Sequence, residues 1–317
     1  MPHFKSEFSE AQYQAFIESC FIEDFRINNH VDIHYYSGTA ERVRGYDIEV
    51  MTFIPIFLQM KRSNCYLHGS TNAEMITRRD QFFYTDNPAG YYFCLHVDVP
   101  TIDYLQHNLL VSLCHDNKYA RYVAPLFIQF GMLMNLKYNI PSIHWGNIFH
   151  STLRDALNFY PWRDYLNFPH SILIKPHANQ TKTNGIHHKY FYNRAKQISF
   201  HSEPEKIDNA DYFHEFISQI TEDIKSKNLE CLIPLEKVFA NILTAIKTTF
   251  NGNKKILETE ILFIEENISF EKIESLSDMK FSENNFSVLT RYIDNRFGIK
   301  TILAGAKNYQ RLFNGFL

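Results

Sequence analysis

The stretch "FIPIFLQMKRS", residues 53–63, decides how this chain is read. Its first six residues are apolar, and Gln59 and Lys61 then stand at alternate positions around Met60. Successive side chains of a strand point to opposite faces, so Leu58 and Met60 belong to one face and Phe57, Gln59 and Lys61 to the other. Two readings of the polar pair compete: an edge strand whose Lys61 is a solvated gatekeeper, or two groups turned into a shared cleft. Twelve positions before Gln59, "RGYDIEV" carries Asp47. A hairpin of that span sets the two strands side by side and gathers an acid, an amide and an ammonium.

Working outward, residues 9–28, "SEAQYQAFIESCFIEDFRIN", place Phe16, Cys20, Phe21 and Phe25 at helical spacing behind a Ser9 cap, which predicts an opening amphipathic helix. "VDIHYYS", "GYDIEVM", "IPIFLQMKR" and, later, "GYYFCLHVD" read as strands. "TIDYLQHNLLVSLCH" sets Ile102, Leu105, Leu109, Leu110 and Leu113 on one face with Thr101 as its cap, a second helix. Gln106 on that helix is within reach of the cleft, although nothing in its spacing requires contact. "ARYVAPLFIQF" follows as a short buried strand. The order over residues 9–128 is thus helix, three strands, helix, strand, a mixed α/β layer. Beyond residue 208, "DYFHEFISQITEDIKSKN", "LEKVFANILTAIKTTF" and "SVLTRYIDNRFG" carry helical periodicity. The expected division is a core over 1–130, a basic aromatic-rich segment over 131–207 that completes or flanks it, and a mostly helical accessory region over 208–317.

Gly45, Asp47, Gln59 and Lys61 resemble the core motif of the PD-(D/E)xK nuclease superfamily, the restriction-endonuclease-like fold, in its (E/Q)xK form. The resemblance covers about 120 of the 317 residues. It implies a Mg²⁺-dependent endonuclease, with Mn²⁺ as a substitute ion, that hydrolyses phosphodiester bonds of DNA, RNA being left open, in bacterial restriction or anti-phage defence. Such hydrolysis needs a cation to draw charge off the phosphate oxygens and a group to orient the attacking water. Mg²⁺ prefers hard oxygen ligands and is commonly held by one or two carboxylates and several waters. By resemblance Asp47 is the anionic ligand, Gln59 offers an amide oxygen, Met60 its carbonyl, and Lys61 positions water and scissile phosphate. Glu41, six residues before Asp47, matches the additional acid of many members, with Glu49 as the fallback. Tyr46 stands where the nominal motif has proline, and Gln59 where glutamate is usual. The neutral Gln59 keeps a second implication alive: a catalytically inactive nuclease-fold protein that binds nucleic acid or a partner protein. Restriction-type enzymes pair active sites across a dimer, so a homodimer is the default assembly, with a defence-system partner as the other.

Charge supplies an independent line. The chain carries a net charge of −3, yet residues 118–200 hold ten lysines and arginines against two acids. That asymmetry gives a surface for a phosphate backbone, or a basic face balanced by acidic helices of the same molecule. Arg62, Lys182, Lys189, Arg194 and Lys196 are the candidate nucleic-acid contacts, and "KTNGIHHKYFYNRAK" interleaves aromatic rings with cations in a way suited to stacking on bases. Five cysteines without ligand spacing argue against a zinc module or a disulfide framework and favour a reducing cytoplasm. No glycine-rich phosphate loop and no GxSxG elbow is present, which counts against nucleotide-cofactor enzymes and serine hydrolases. No apolar run reaches membrane-spanning length, and "MPHFKSEFSE" lacks a signal pattern, so no membrane association is expected.

Overall fold

The computed structural model describes residues 4–27, 31–36, 52–67, 89–96, 104–139, 169–180, 188–200, 203–207, 210–228, 230–250 and 281–306. The class is mixed α/β. Helix α1 (Glu10–Ile27) begins where Ser9 was read as a cap, and the cap is reciprocal. Gln12 N–H donates to Ser9 Oγ at 3.1 Å, and Gln12 Oε1 accepts from Ser9 N–H at 2.8 Å, which satisfies two orphan donors of the first turn.

Short strand β1 (Phe4–Lys5) precedes α1, and β2 (Val31–Tyr36) and β3 (Thr52–Met60) follow it. Then come β4 (Asn64–Leu67), β5 (Ala89–Cys94), helix α2 (Leu105–Asp116), β6 (Tyr119–Pro125) and helix α3 (Phe130–Asn139). The remaining strands before the C-terminal helices are β7 (Ser171–Ile174), β8 (Lys189–Tyr192), β9 (Ile198–Phe200), β10 (Glu203–Ile207) and β11 (Ala210–Tyr212). Helix α4 (Phe213–Lys225), β12 (Ile233–Pro234), helices α5 (Leu235–Phe250) and α6 (Glu283–Phe297), and β13 (Ile299–Ala306) complete the order.

Two sheets result. One runs β1-β4-β5-β8-β9-β10, the other β11-β7-β6-β3-β13-β2 with β12 against the start of β3. In the second sheet the neighbours β3 and β6 are parallel, Gln59 lying opposite Tyr122, while the other pairings of its described strands are antiparallel. Such a parallel pair needs a long crossover, and here β4, β5 and α2 form it.

β3 is buried on both faces. Ile54, Ile56, Leu58 and Met60 pack with α1, α3 and α4. Phe53 and Phe57 pack with α2, α5, α6 and the inner face of the first sheet. The alternation read from the sequence therefore holds, but each face meets a packed layer, and the solvated edge strand is excluded.

Two expectations differ from the structure. The C-terminal third, read as a helical accessory region, supplies β13 to the middle of the second sheet, where it pairs antiparallel with β3 over Phe53–Gln59 and with β2 over Val31–Tyr36. A hairpin between the Asp47 stretch and β3 was also expected. Instead β13 occupies one edge of β3 and β6 the other over Ile56–Met60. Thr101, expected to cap the second helix, lies outside the described residues, and the helix runs over Leu105–Asp116.

Candidate functional site

Gln59 and Lys61 lie at the carboxyl end of β3, on the face that meets α2 and the end of α6. Lys61 N–H extends the ladder past the strand by donating to Val123 C=O at 2.9 Å. Both side chains are buried, with 1% of Gln59 and 7% of Lys61 exposed, and Arg62 next to them turns outward.

One carbonyl organises the pair. Helix α6 ends at Phe297 because Gly298 adopts the left-handed conformation (φ 62°) and its N–H closes back on Asp294 C=O at 2.8 Å, the usual glycine terminator. Phe297 C=O then accepts from Gln59 Nε2 at 3.0 Å and from Gln106 Nε2 at 2.5 Å. Gln106 Oε1 accepts in turn from Lys61 Nζ at 2.9 Å. These bonds fix both amides, since flipping either would set an amide oxygen against the Phe297 oxygen. They also leave Gln59 Oε1 buried with no hydrogen-bond partner among the described residues, at a cost of about 1–3 kcal/mol.

Lys61 is unusual in its partners. Its ammonium bonds a neutral amide and stands 5.7 Å from the centre of the Tyr122 ring. Among the described residues no carboxylate bonds it. Burial lowers its pKa from 10.5 to about 8, opposed in part by the charges of Glu10 and Cys94.

The floor beside it is rigid. His107 stacks on Tyr122 with ring centres 5.9 Å apart. Its Nε2 faces Ala178 C=O at 2.7 Å, which can only accept, so Nε2 carries the proton and Nδ1 accepts from Tyr122 Oη at 2.7 Å. Burial pushes the His107 pKa down to about 4, which keeps the ring neutral. Asn108 and Gln180 exchange bonds of 2.9 and 2.8 Å that tie the segment after β7 to α2.

Asp47, Glu41 and Glu49 lie outside the described residues, as does Lys182. Among the described residues no group of three or more His, Cys, Asp or Glu is placed to hold a metal. Gln59 Oε1 is the hard, orphaned oxygen of the kind Mg²⁺ takes.

The other basic candidates are engaged elsewhere. Lys196 forms a forked pair with Glu215 at 2.8 and 2.9 Å and lies 4.7 Å over Tyr212. Its left-handed backbone (φ 60°) closes the β8–β9 turn. Arg194 Nη2 reaches Leu126 C=O at 3.5 Å, and Lys189 Nζ sits 5.5 Å over Tyr92. The aromatic residues meant for base stacking are largely core: His188, Tyr190 and Tyr192 are buried, His188 stacked on Phe200 and Tyr192 bonded to Ser63. Inward alternation along β8 explains this, and it corrects the stacking platform read from the sequence.

Sequence reasoning undervalued Gln106 and missed the Phe297 carbonyl. Gln106 carries a weak signal, being one of three consecutive polar residues, Gln106, His107 and Asn108, in the first turn of the helix. The carbonyl has none, because it depends on the long-range placement of α6. No protein-family model, curated protein or solved structure matches the chain, and no described helix is long and apolar enough to cross a membrane.

Proposed function

We propose that the chain is a divalent-metal-dependent endonuclease acting on DNA, with the Gln59–Lys61 end of β3 as its reaction centre. The observation that carries this reading is a buried ammonium whose hydrogen-bond partner among the described residues is a neutral amide, beside a buried amide oxygen with no partner among them. A chain that encloses an ammonium depresses its pKa and destabilises itself unless an anion arrives, and perturbed groups of this sort concentrate at functional sites. A phosphodiester is such an anion. In this reading Gln59 Oε1, the Met60 carbonyl and the carboxylates of Asp47 and Glu41 would hold Mg²⁺ or Mn²⁺, which supplies charge neutralisation at the phosphate oxygens. Lys61 holds the phosphate and orients water by donating hydrogen bonds, while the apolar packing of Phe57 and Tyr122 excludes bulk solvent and strengthens those bonds. The restriction-endonuclease-like core, a role in anti-phage defence, a cytoplasmic site of action and a homodimer or defence-system partner belong to the same proposal.

A second reading is favoured by one observation: β13 and β6, rather than the Asp47 stretch, flank β3. On that reading the fold is a catalytically inactive nucleic-acid-binding or partner-binding module. The purified chain, incubated with supercoiled and linear DNA in Mg²⁺ or Mn²⁺, separates the two. The nuclease reading expects nicking or cutting that chelation stops and that Asp47→Ala or Lys61→Ala abolishes without loss of fold. Binding without cleavage under either ion selects the module, and neither binding nor cleavage removes nucleic acid from the account.

A further inference from the structure

We infer that the corner joining α6 to β13 positions this site, with Gln106 relaying it to Lys61. The inference rests on the nuclease reading and assigns a role to residues outside the motif that suggested it. A lysine ammonium on four methylenes has many rotamers, and fixing it costs side-chain entropy. Lys61 Nζ donates a hydrogen bond to Gln106 Oε1 at 2.9 Å. Gln106 is itself held, because its Nε2 donates to Phe297 C=O at 2.5 Å. That carbonyl also takes Gln59 Nε2 at 3.0 Å, so one backbone oxygen, belonging to the last turn of α6, sets the direction of both amides.

The carbonyl is presented by the termination itself. Had α6 continued, an amide further along would have claimed Phe297 C=O; the left-handed turn at Gly298 (φ 62°) sends the chain directly into β13 instead. Carbonyls at a helix carboxyl terminus carry the negative end of the helix dipole, which favours donors such as these amides. β13 is clamped between β2 and β3, so the corner cannot drift without breaking the sheet. The consequence is geometric: Gln59 Oε1 points away from the carbonyl and has no hydrogen-bond partner among the described residues, and the Lys61 ammonium has two N–H bonds beyond the one given to Gln106 for a phosphate oxygen or a water. Gln106 is a positioning residue and touches no reacting atom.

The test uses Gln106→Met, which keeps length and removes both polar contacts, and Gln106→Glu, which keeps an acceptor for Lys61 but sets a carboxylate against Phe297 C=O. Two readouts are taken on the full chain: DNA cleavage with Mg²⁺ under steady-state conditions, and the ammonium proton signal of Lys61 in a nitrogen-labelled chain, assigned by its absence in Lys61→Met. Gln106→Met should lower kcat on the order of 10- to 100-fold with KM for DNA within about twofold, the pattern of lost orientation rather than lost binding. It should also broaden or abolish the Lys61 signal through faster exchange. Gln106→Glu should recover the signal and leave kcat roughly threefold to tenfold low. Wild-type kcat or an unchanged Lys61 signal in Gln106→Met overturns the inference. If Gln106→Met does not fold, Gln106→Glu decides alone, and wild-type kcat there overturns it. A wild-type chain inactive with both ions removes the nuclease reading and this one together, whereas an active wild type with unaffected Gln106 variants removes only this one.

Discussion

Replacing Lys61 by methionine should make the protein more stable at neutral pH and erase part of its pH dependence. The folded chain lowers the Lys61 pKa from 10.5 to about 8 because burial penalises the charge. At 1.36 kcal/mol per pH unit, that gap is on the order of 3 kcal/mol. Below pH 8 both folded and unfolded chains carry the proton and the cost of enclosing the charge is present in full. Between pH 8 and 10.5 the unfolded chain binds more protons than the folded one, so wild-type stability rises with pH. Above 10.5 the contribution is complete and the cost is gone. Methionine has no such charge but leaves Gln106 Oε1 without its donor, which costs about 1–2 kcal/mol. The variant should therefore be about 1–2 kcal/mol more stable at pH 7, lose that advantage as pH rises, and be the less stable of the two near pH 10.5. Urea melts of both proteins from pH 7 to 10.5 measure this, and taking the difference cancels the tyrosines and thiols that titrate in both. A difference constant to within about 0.5 kcal/mol across that range would refute the claim that Lys61 is buried as a desolvated cation.

Three further outcomes follow from the same geometry. Gln59→Glu exchanges the donor to Phe297 C=O for a carboxylate oxygen, so it should lose about 1–3 kcal/mol in the absence of metal and recover more of its melting temperature on Mg²⁺ addition than wild type does; equal shifts would exclude Gln59 as a ligand. Gly298→Ala should cost about 1–2 kcal/mol from left-handed strain alone, since the nearest atom to its new methyl group would be Gln106 Nε2 at an ordinary 3.5 Å; a loss well above that in chemical denaturation would point to a clash instead. Ser9→Ala removes half of the reciprocal cap of α1 and should lower stability by about 1 kcal/mol, with no change in DNA binding by gel shift.

What could be read from the sequence was local. Ser9 and the 3.6-residue spacing of Phe16, Cys20 and Phe21 place α1, and the alternation around Met60 separates the two faces of β3. Leu105, Leu109, Leu110 and Leu113 mark the buried side of α2. The long-range pairings were not legible, because no periodicity states which strand lies beside which. β13 illustrates the limit: eight residues at the far end of the chain, Ile299–Ala306, take the edge of β3 that the sequence had reserved for the Asp47 stretch. Charge misled in a related way. The count of cations over residues 118–200 is correct, yet Lys196 is spent on Glu215, and Tyr190 and Tyr192 point into the core. Composition records that cations and rings are present, while the pleat and the partner helices decide which reach solvent.

The site stands out against this background because it is where local consistency fails. Along β3 Phe53, Ile54, Ile56, Phe57 and Leu58 all suit an apolar interior, and the next alternate positions introduce an amide and an ammonium into the same buried layer. A structural lysine enclosed for stability would be expected to have a carboxylate, as the largely enclosed Lys300 does with Asp294 at 2.6 Å. Among the described residues Lys61 is given an uncharged amide that holds its position without neutralising it, and Gln59 is held by its nitrogen so that its oxygen is left over. Neither bond neutralises the buried charge or satisfies the left-over oxygen. Both lower the energy of a complex in which an anion meets the ammonium and a cation meets the oxygen, and a metal-bound phosphodiester presents those two charges side by side.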